Sequence, residues 1–183
     1  MRRLHLVELE DLPWFPSAVR DAGTGYLQAM LDASDPYAPI VPLLADELRR
    51  SGAVRIVDLC SGGGGPWRRL RGALAAEGVR LPVLLTDRYP NAGALEAVAD
   101  GSNGGDGGSI ALHPAPVDAT RVPESLGGFR TMFSAFHHFA PDTARRILGD
   151  AVARREPLAV FEATARSVTC LSFVLLAPLV TLF

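Results

Sequence analysis

A chain of 183 residues with 48% hydrophobic side chains is long enough to bury the core of one domain. Its formal net charge of -2 gives no electrostatic case for a basic face able to neutralise phosphates, so nucleic-acid partners are not indicated. The two cysteines, Cys60 and Cys170, stand apart, so there is neither a disulfide framework nor a paired-cysteine zinc pattern, and a reducing cytoplasm is the expected compartment.

The chain begins MRRLHLVELEDL, in which two arginines are followed by no apolar run before Glu8, Glu10 and Asp11, unlike a secretory signal. Residues 1–52 are expected to form an N-terminal helical segment in two pieces, 17–31 and 39–50. This segment is expected either to form a lid or to pack on one sheet face, and the aromatic sequence PWFP at 13–16, an odd choice for a plain outer layer, favours the lid.

From residue 53 the pattern changes to short β-rich runs alternating with helical ones. Strands are expected at 54–60, 81–87, 110–118, 129–135 and 157–162, and the alternation predicts an α/β fold: a Rossmann-like parallel sheet of about five strands with crossover helices, spanning 53–166. The helix at 66–77 starts on Pro66, carries Trp67, Leu70, Ala73 and Leu74 on one face and stops at Gly78. A shorter helix is expected at 91–100. A third, at 140–156, places Ala144, Ile147, Leu148, Ala151 and Val152 at helical spacing and ends at Pro157. Residues 101–109, GSNGGDGGS, have linker composition.

The last stretch, 167–183, holds no charged side chain, yet Pro178 interrupts it and it falls short of the roughly 20 residues a spanning helix needs. Three readings stand: a buried helix, a membrane contact, or the start of a longer apolar region. With five strands expected, the fifth is an exposed edge unless the tail or a second copy of the chain covers it.

The chemistry begins at DLCSGGGGPW, residues 58–67. A phosphate-cradling loop requires Gly-Lys-Ser/Thr after its glycines, and Pro66, Trp67 and Arg68 follow here instead. A dinucleotide fingerprint requires a small residue where helix packs on strand, and Trp67 or Arg68 falls at that position. A turn open to a ligand at a strand's carboxyl end remains, where glycine is favoured because positive φ and close approach both exclude a Cβ.

This stretch resembles the first motif of class I S-adenosylmethionine-dependent methyltransferases, acid-x-Gly-x-Gly-x-Gly. Asp58, Gly62 and Gly64 match it, Ser61 stands among them, and Cys60 replaces the first glycine. VLLTDRYPN ends the second strand at Asp87, which the resemblance makes the acceptor of both ribose hydroxyls. VDATRVP carries Asp118-Ala119-Thr120, similar to the family's signature beside the adenine, with Asp118 accepting from the exocyclic amine. The resemblance spans roughly 53–164 and implies S-adenosyl-L-methionine as cofactor and a small-molecule acceptor. The family's sheet has seven strands, so the chain is expected to be a C-terminally truncated member.

Past the fourth strand lies SAFHHFAP, where His137 and His138 are the candidate bases for an acceptor that must lose a proton. Ser134 and Phe136 are expected to line the pocket, and Glu162, ending the fifth strand, is a further candidate. The remaining histidines, His5 and His113, lie elsewhere, so no metal site is expected. Two other functions stay open: a non-catalytic adenosylmethionine-binding module, and a nicotinamide-dependent oxidoreductase in which Arg88, beside the ribose acid, holds a 2′-phosphate.

Overall fold

Hydrophobic strands separated by amphipathic helices bury both faces of a sheet, and the computed structural model, which describes residues 12, 14–90 and 108–163, has this architecture. Helix α1 spans Ser17–Ser34, and a single 3₁₀ turn at Ala38–Ile40 leads into α2, Val41–Ser51. The sheet strands are β1 Ile56–Leu59, β2 Val83–Thr86, β3 Ile110–Leu112, β4 Phe129–Phe133 and β5 Leu158–Phe161. Helix α3, Trp67–Ala76, follows β1, and α4, Pro141–Arg154, joins β4 to β5. All four pairings are parallel and the order is β3-β2-β1-β4-β5, a Rossmann-like α/β sheet preceded by a helical segment.

The chain therefore builds outward from β1 through β2 to β3, then crosses back to place β4 on the other side of β1. The order reverses between β1 and β4, and open α/β sheets bind ligands in the crevice beyond the carboxyl ends of the strands at such a point. Alternation along β1 sends Ile56 to one face, with Trp67, Leu70 and Leu74 of α3 and Leu44 and Leu48 of α2. Val57 and Leu59 pack on the other face with Met132 and with Ile147 of α4.

Two sequence expectations change in extent. The third strand stops at Leu112 rather than 118, because Pro114 and Pro116 carry no N–H for a ladder. Helix α4 buries Ile147 and Ala151, whereas Leu148 and Val152 point outward at 45% and 77% exposure, so its apolar stripe is narrower than its composition suggests. Arg130, in the middle of β4, is fully buried and pairs with Asp150 of α4 at 2.7 Å and with Glu156 at 2.5 Å, clamping α4 to the sheet. The expected helix at 91–100, most of the glycine-rich loop and the apolar tail lie outside the described residues. Among the described residues no helix is long and apolar enough to cross a membrane.

Candidate functional site

The two strands flanking the crevice each end in a non-glycine residue with left-handed backbone. Cys60 follows β1 at φ 58°, and Ser134 follows β4 at φ 45°. For residues with a Cβ this conformation costs roughly 1–2 kcal/mol, and such strain gathers where surrounding structure holds a functional geometry. Cys60 stands where the methyltransferase motif has its first glycine, and its backbone adopts the conformation that glycine serves best. The turn continues with Gly62, Gly64 and Gly65, all at positive φ, and the Gly64 N–H donates to the Ser61 carbonyl at 2.8 Å. A Cβ added at Gly65 would meet nothing within 4 Å.

Asp58 lies beneath this turn rather than in the crevice. It is 1% exposed, and Thr131, directly across the β1–β4 pairing, donates its hydroxyl to Oδ1 at 2.6 Å. Burial pushes its carboxyl up to about 7, against the lowering effect of Thr131, Ser61 and the Trp67 indole, and the Asp87 charge raises it further. Ser61 is also internal to the turn: its hydroxyl donates to the Asp58 carbonyl at 3.0 Å and accepts from the Thr86 N–H at 3.2 Å. Trp67 is wholly buried and meets Phe133 edge-on at 5.7 Å, filling space where a dinucleotide fold brings helix and strand together.

Asp87 closes the gap between β2 and the turn. Its Oδ2 accepts from the Gly62 N–H at 2.8 Å and its Oδ1 from the Tyr89 N–H at 2.8 Å. The Asp87 carbonyl in turn accepts from the Val117 N–H at 2.8 Å, which draws the Asp118 segment to the same edge. Asp118 is exposed, and its Oδ1 accepts from both the N–H and the hydroxyl of Thr120, at 2.8 and 2.7 Å. The Thr120 hydroxyl holds its carboxyl below the usual range; burial opposes this, and the Thr120 N–H, Arg88 and Arg146 add to it. Arg88 is exposed, with its guanidinium 5.9 Å from the Tyr89 ring centre, while Ala119 is buried.

On the far side of the crevice, Ser134 is held by two partners. Its hydroxyl shares a 2.6 Å hydrogen bond with the Tyr37 hydroxyl and accepts from the Ala163 N–H at 3.1 Å. Tyr37 is 2% exposed, and burial raises its phenol; the Ser134 hydrogen bond opposes this while the charges of Glu162 and Asp58 add to it. The next turn is a short 3₁₀ segment, Phe136–His138, in which His137 is exposed and His138 half-buried, their rings 4.3 Å apart. Glu162 faces His137, with Oε2 at 2.6 Å from Nδ1.

The N-terminal segment does reach the site, through residues other than the aromatic stretch that suggested a lid. Trp14 is 67% exposed, whereas Gln28 of α1 donates to the Gly65 carbonyl at 2.9 Å and Tyr37 meets Ser134. Tyr37, Gln28 and Thr131 escape sequence reasoning because none carries a motif. The one available signal was that Thr131 repeats a polar residue inside an apolar strand, as Asp58 does in the strand beside it. Among the described residues no group of three or more histidines, cysteines or carboxylates is placed to hold a metal ion. Comparison with protein-family models, curated proteins and solved structures finds no match.

Proposed function

We propose that this chain binds S-adenosyl-L-methionine in the crevice beyond β1 and β4 and transfers its methyl group to a small-molecule acceptor. The observation that carries this reading is the hydrogen bond from Gly62 N–H to Asp87. It sets a carboxylate at the lip of a glycine turn, where a ribose diol lying along the turn finds an acceptor for both hydroxyls. Asp118, on the adjoining segment, offers a second acceptor for an exocyclic amine. The donor set suits an adenosyl ligand: carboxylates for hydroxyl and amine donors, an open backbone at Gly65, and no lysine to meet a phosphate. When bound, the cofactor supplies a methyl group on a sulfonium, an electrophile that needs positioning more than activation.

The chain's own contribution is then to orient and to exclude water. The turn fixes the β1 side, and Gln28 and Tyr37 wall the site from the N-terminal segment. The buried Trp67 disfavours the nicotinamide alternative. Calorimetric titration with S-adenosylhomocysteine, NADH and NADPH tests the reading. We expect binding of the first alone, and Asp87→Ala to weaken it by about 10- to 100-fold, the worth of one or two hydrogen bonds to a charged acceptor. Binding of a nicotinamide cofactor without S-adenosylhomocysteine would overturn it.

A further inference from the structure

Glu162 makes three contacts with one short turn. Its Oε1 accepts from the backbone N–H of Phe136 at 2.9 Å and of His137 at 3.2 Å, and its Oε2 lies 2.6 Å from Nδ1 of His137. One carboxylate thus fixes both the backbone that carries the imidazole and the ring itself. A carboxylate oxygen is an acceptor, so Nδ1 carries the hydrogen, and in the neutral imidazole this leaves the lone pair on Nε2, the arrangement of an oriented base. His137 is the exposed member of the histidine pair and Glu162 is partly exposed, so a proton taken up at Nε2 has a route to solvent. Among the described residues, Glu162 and the adjacent His138 are the titratable groups seen against the ring.

We propose that His137 is the general base of this site, that Glu162 is its positioning residue, and that the acceptor is a phenolic or enolic hydroxyl. This rests on the methyl-transfer reading above. In the step, the acceptor O–H bond breaks and its proton passes to Nε2, an O–CH₃ bond forms, and the methyl–sulfur bond breaks with its electron pair staying on sulfur. The acceptor class follows from matching acid to base. A phenol ionises near about 10, within reach of an imidazole, whereas an aliphatic alcohol lies close to water at about 15.7. Phe136, half-buried beside His137 and meeting Phe139 at 6.5 Å, gives a planar ring an apolar wall.

The test uses the full chain, S-adenosylmethionine, and three probes: 4-nitrophenol, catechol and cyclohexanol. Transfer is expected to the phenols and not to cyclohexanol. His137→Ala is expected to lower kcat for catechol about 100-fold or more, with S-adenosylhomocysteine affinity within about twofold of native. Glu162→Ala is expected to lower kcat about 10-fold with little change in KM, and Glu162→Asp to restore part of it. Nitrogen-15 spectra of the imidazoles are expected to show His137 protonated on Nδ1 in the native chain and redistributed toward Nε2 in Glu162→Ala.

Retained S-adenosylhomocysteine binding with no transfer to any phenol overturns the base and acceptor assignment, as does transfer that His137→Ala leaves unchanged. A native His137 protonated on Nε2 overturns the role of Glu162. Failure to bind S-adenosylhomocysteine removes the methyl-transfer reading itself, and the base assignment with it.

Discussion

Asp58 is a carboxyl buried beneath the glycine turn, and Asp58→Asn isolates the consequence. Its side chain is 1% exposed, and burial raises its carboxyl from 3.8 in the ordinary range to about 7. Between those two values the folded chain keeps a proton that the unfolded chain has released. Stability is therefore greatest below the unfolded value, falls as pH rises through this window, and levels off above about 7. Each pH unit inside the window is worth about 1.4 kcal/mol, so from pH 5 to pH 8 the native chain loses about 3 kcal/mol through this one group. Asparagine keeps an acceptor for the Thr131 hydroxyl and cannot ionise. Urea unfolding of both chains, followed by the fluorescence of the buried Trp67, gives the difference at each pH and cancels every other titrating group. The stability of Asp58→Asn relative to native is expected to grow by about 3 kcal/mol between pH 5 and pH 8. A difference that stays constant within about 0.5 kcal/mol, or shrinks, would falsify the account of a carboxyl held neutral beneath the turn.

Three further substitutions probe the geometry. Cys60→Gly relieves left-handed strain at φ 58° and is expected to raise unfolding stability by roughly 0.5–1 kcal/mol after the added entropy of the unfolded chain; an equal or larger loss in urea would mean that packing of the thiol dominates. Ser134→Ala strands the buried Tyr37 hydroxyl and is expected to cost about 1–3 kcal/mol, with Tyr37→Phe on the same background recovering part of it, as a double-mutant cycle would measure. Arg130→Met leaves Asp150 and Glu156, exposed by 13% and 17%, without their buried cation; a loss of about 3–5 kcal/mol in thermal or chemical unfolding is expected, and a loss below about 1 kcal/mol would show that the clamp is not needed.

The glycine turn was legible because its information is local. A glycine turn between an apolar strand and a proline-started helix declares its backbone, and Cys60, at its start, shares the positive φ of Gly62, Gly64 and Gly65. Acids near strand ends could be named for the same reason, although Asp118 proved to sit on a proline-broken segment past β3 rather than at its end. The other half of the site depends on contacts between residues far apart in the chain. Asp58 with Thr131 and Tyr37 with Ser134 join positions 73 and 97 residues apart, and no single-sequence pattern encodes either pairing. Arg130 likewise finds its partner only once α4 is docked, in Asp150, 20 residues along the chain.

His137 and Glu162 show what must be added to sequence before a dyad appears. Each was a candidate alone, one at the end of each of two strands, with nothing to bring them together. The pairing follows once β4 and β5 run parallel with Phe133 opposite Phe161, because Ser134 and Glu162 then leave the sheet side by side. The next turn on the β4 side carries His137 back over Glu162, and the two N–H bonds that Glu162 accepts keep it there. A register shift of one residue would point Glu162 to the opposite face and break all three contacts, so the proposed base is as well placed as the β4–β5 ladder is well specified.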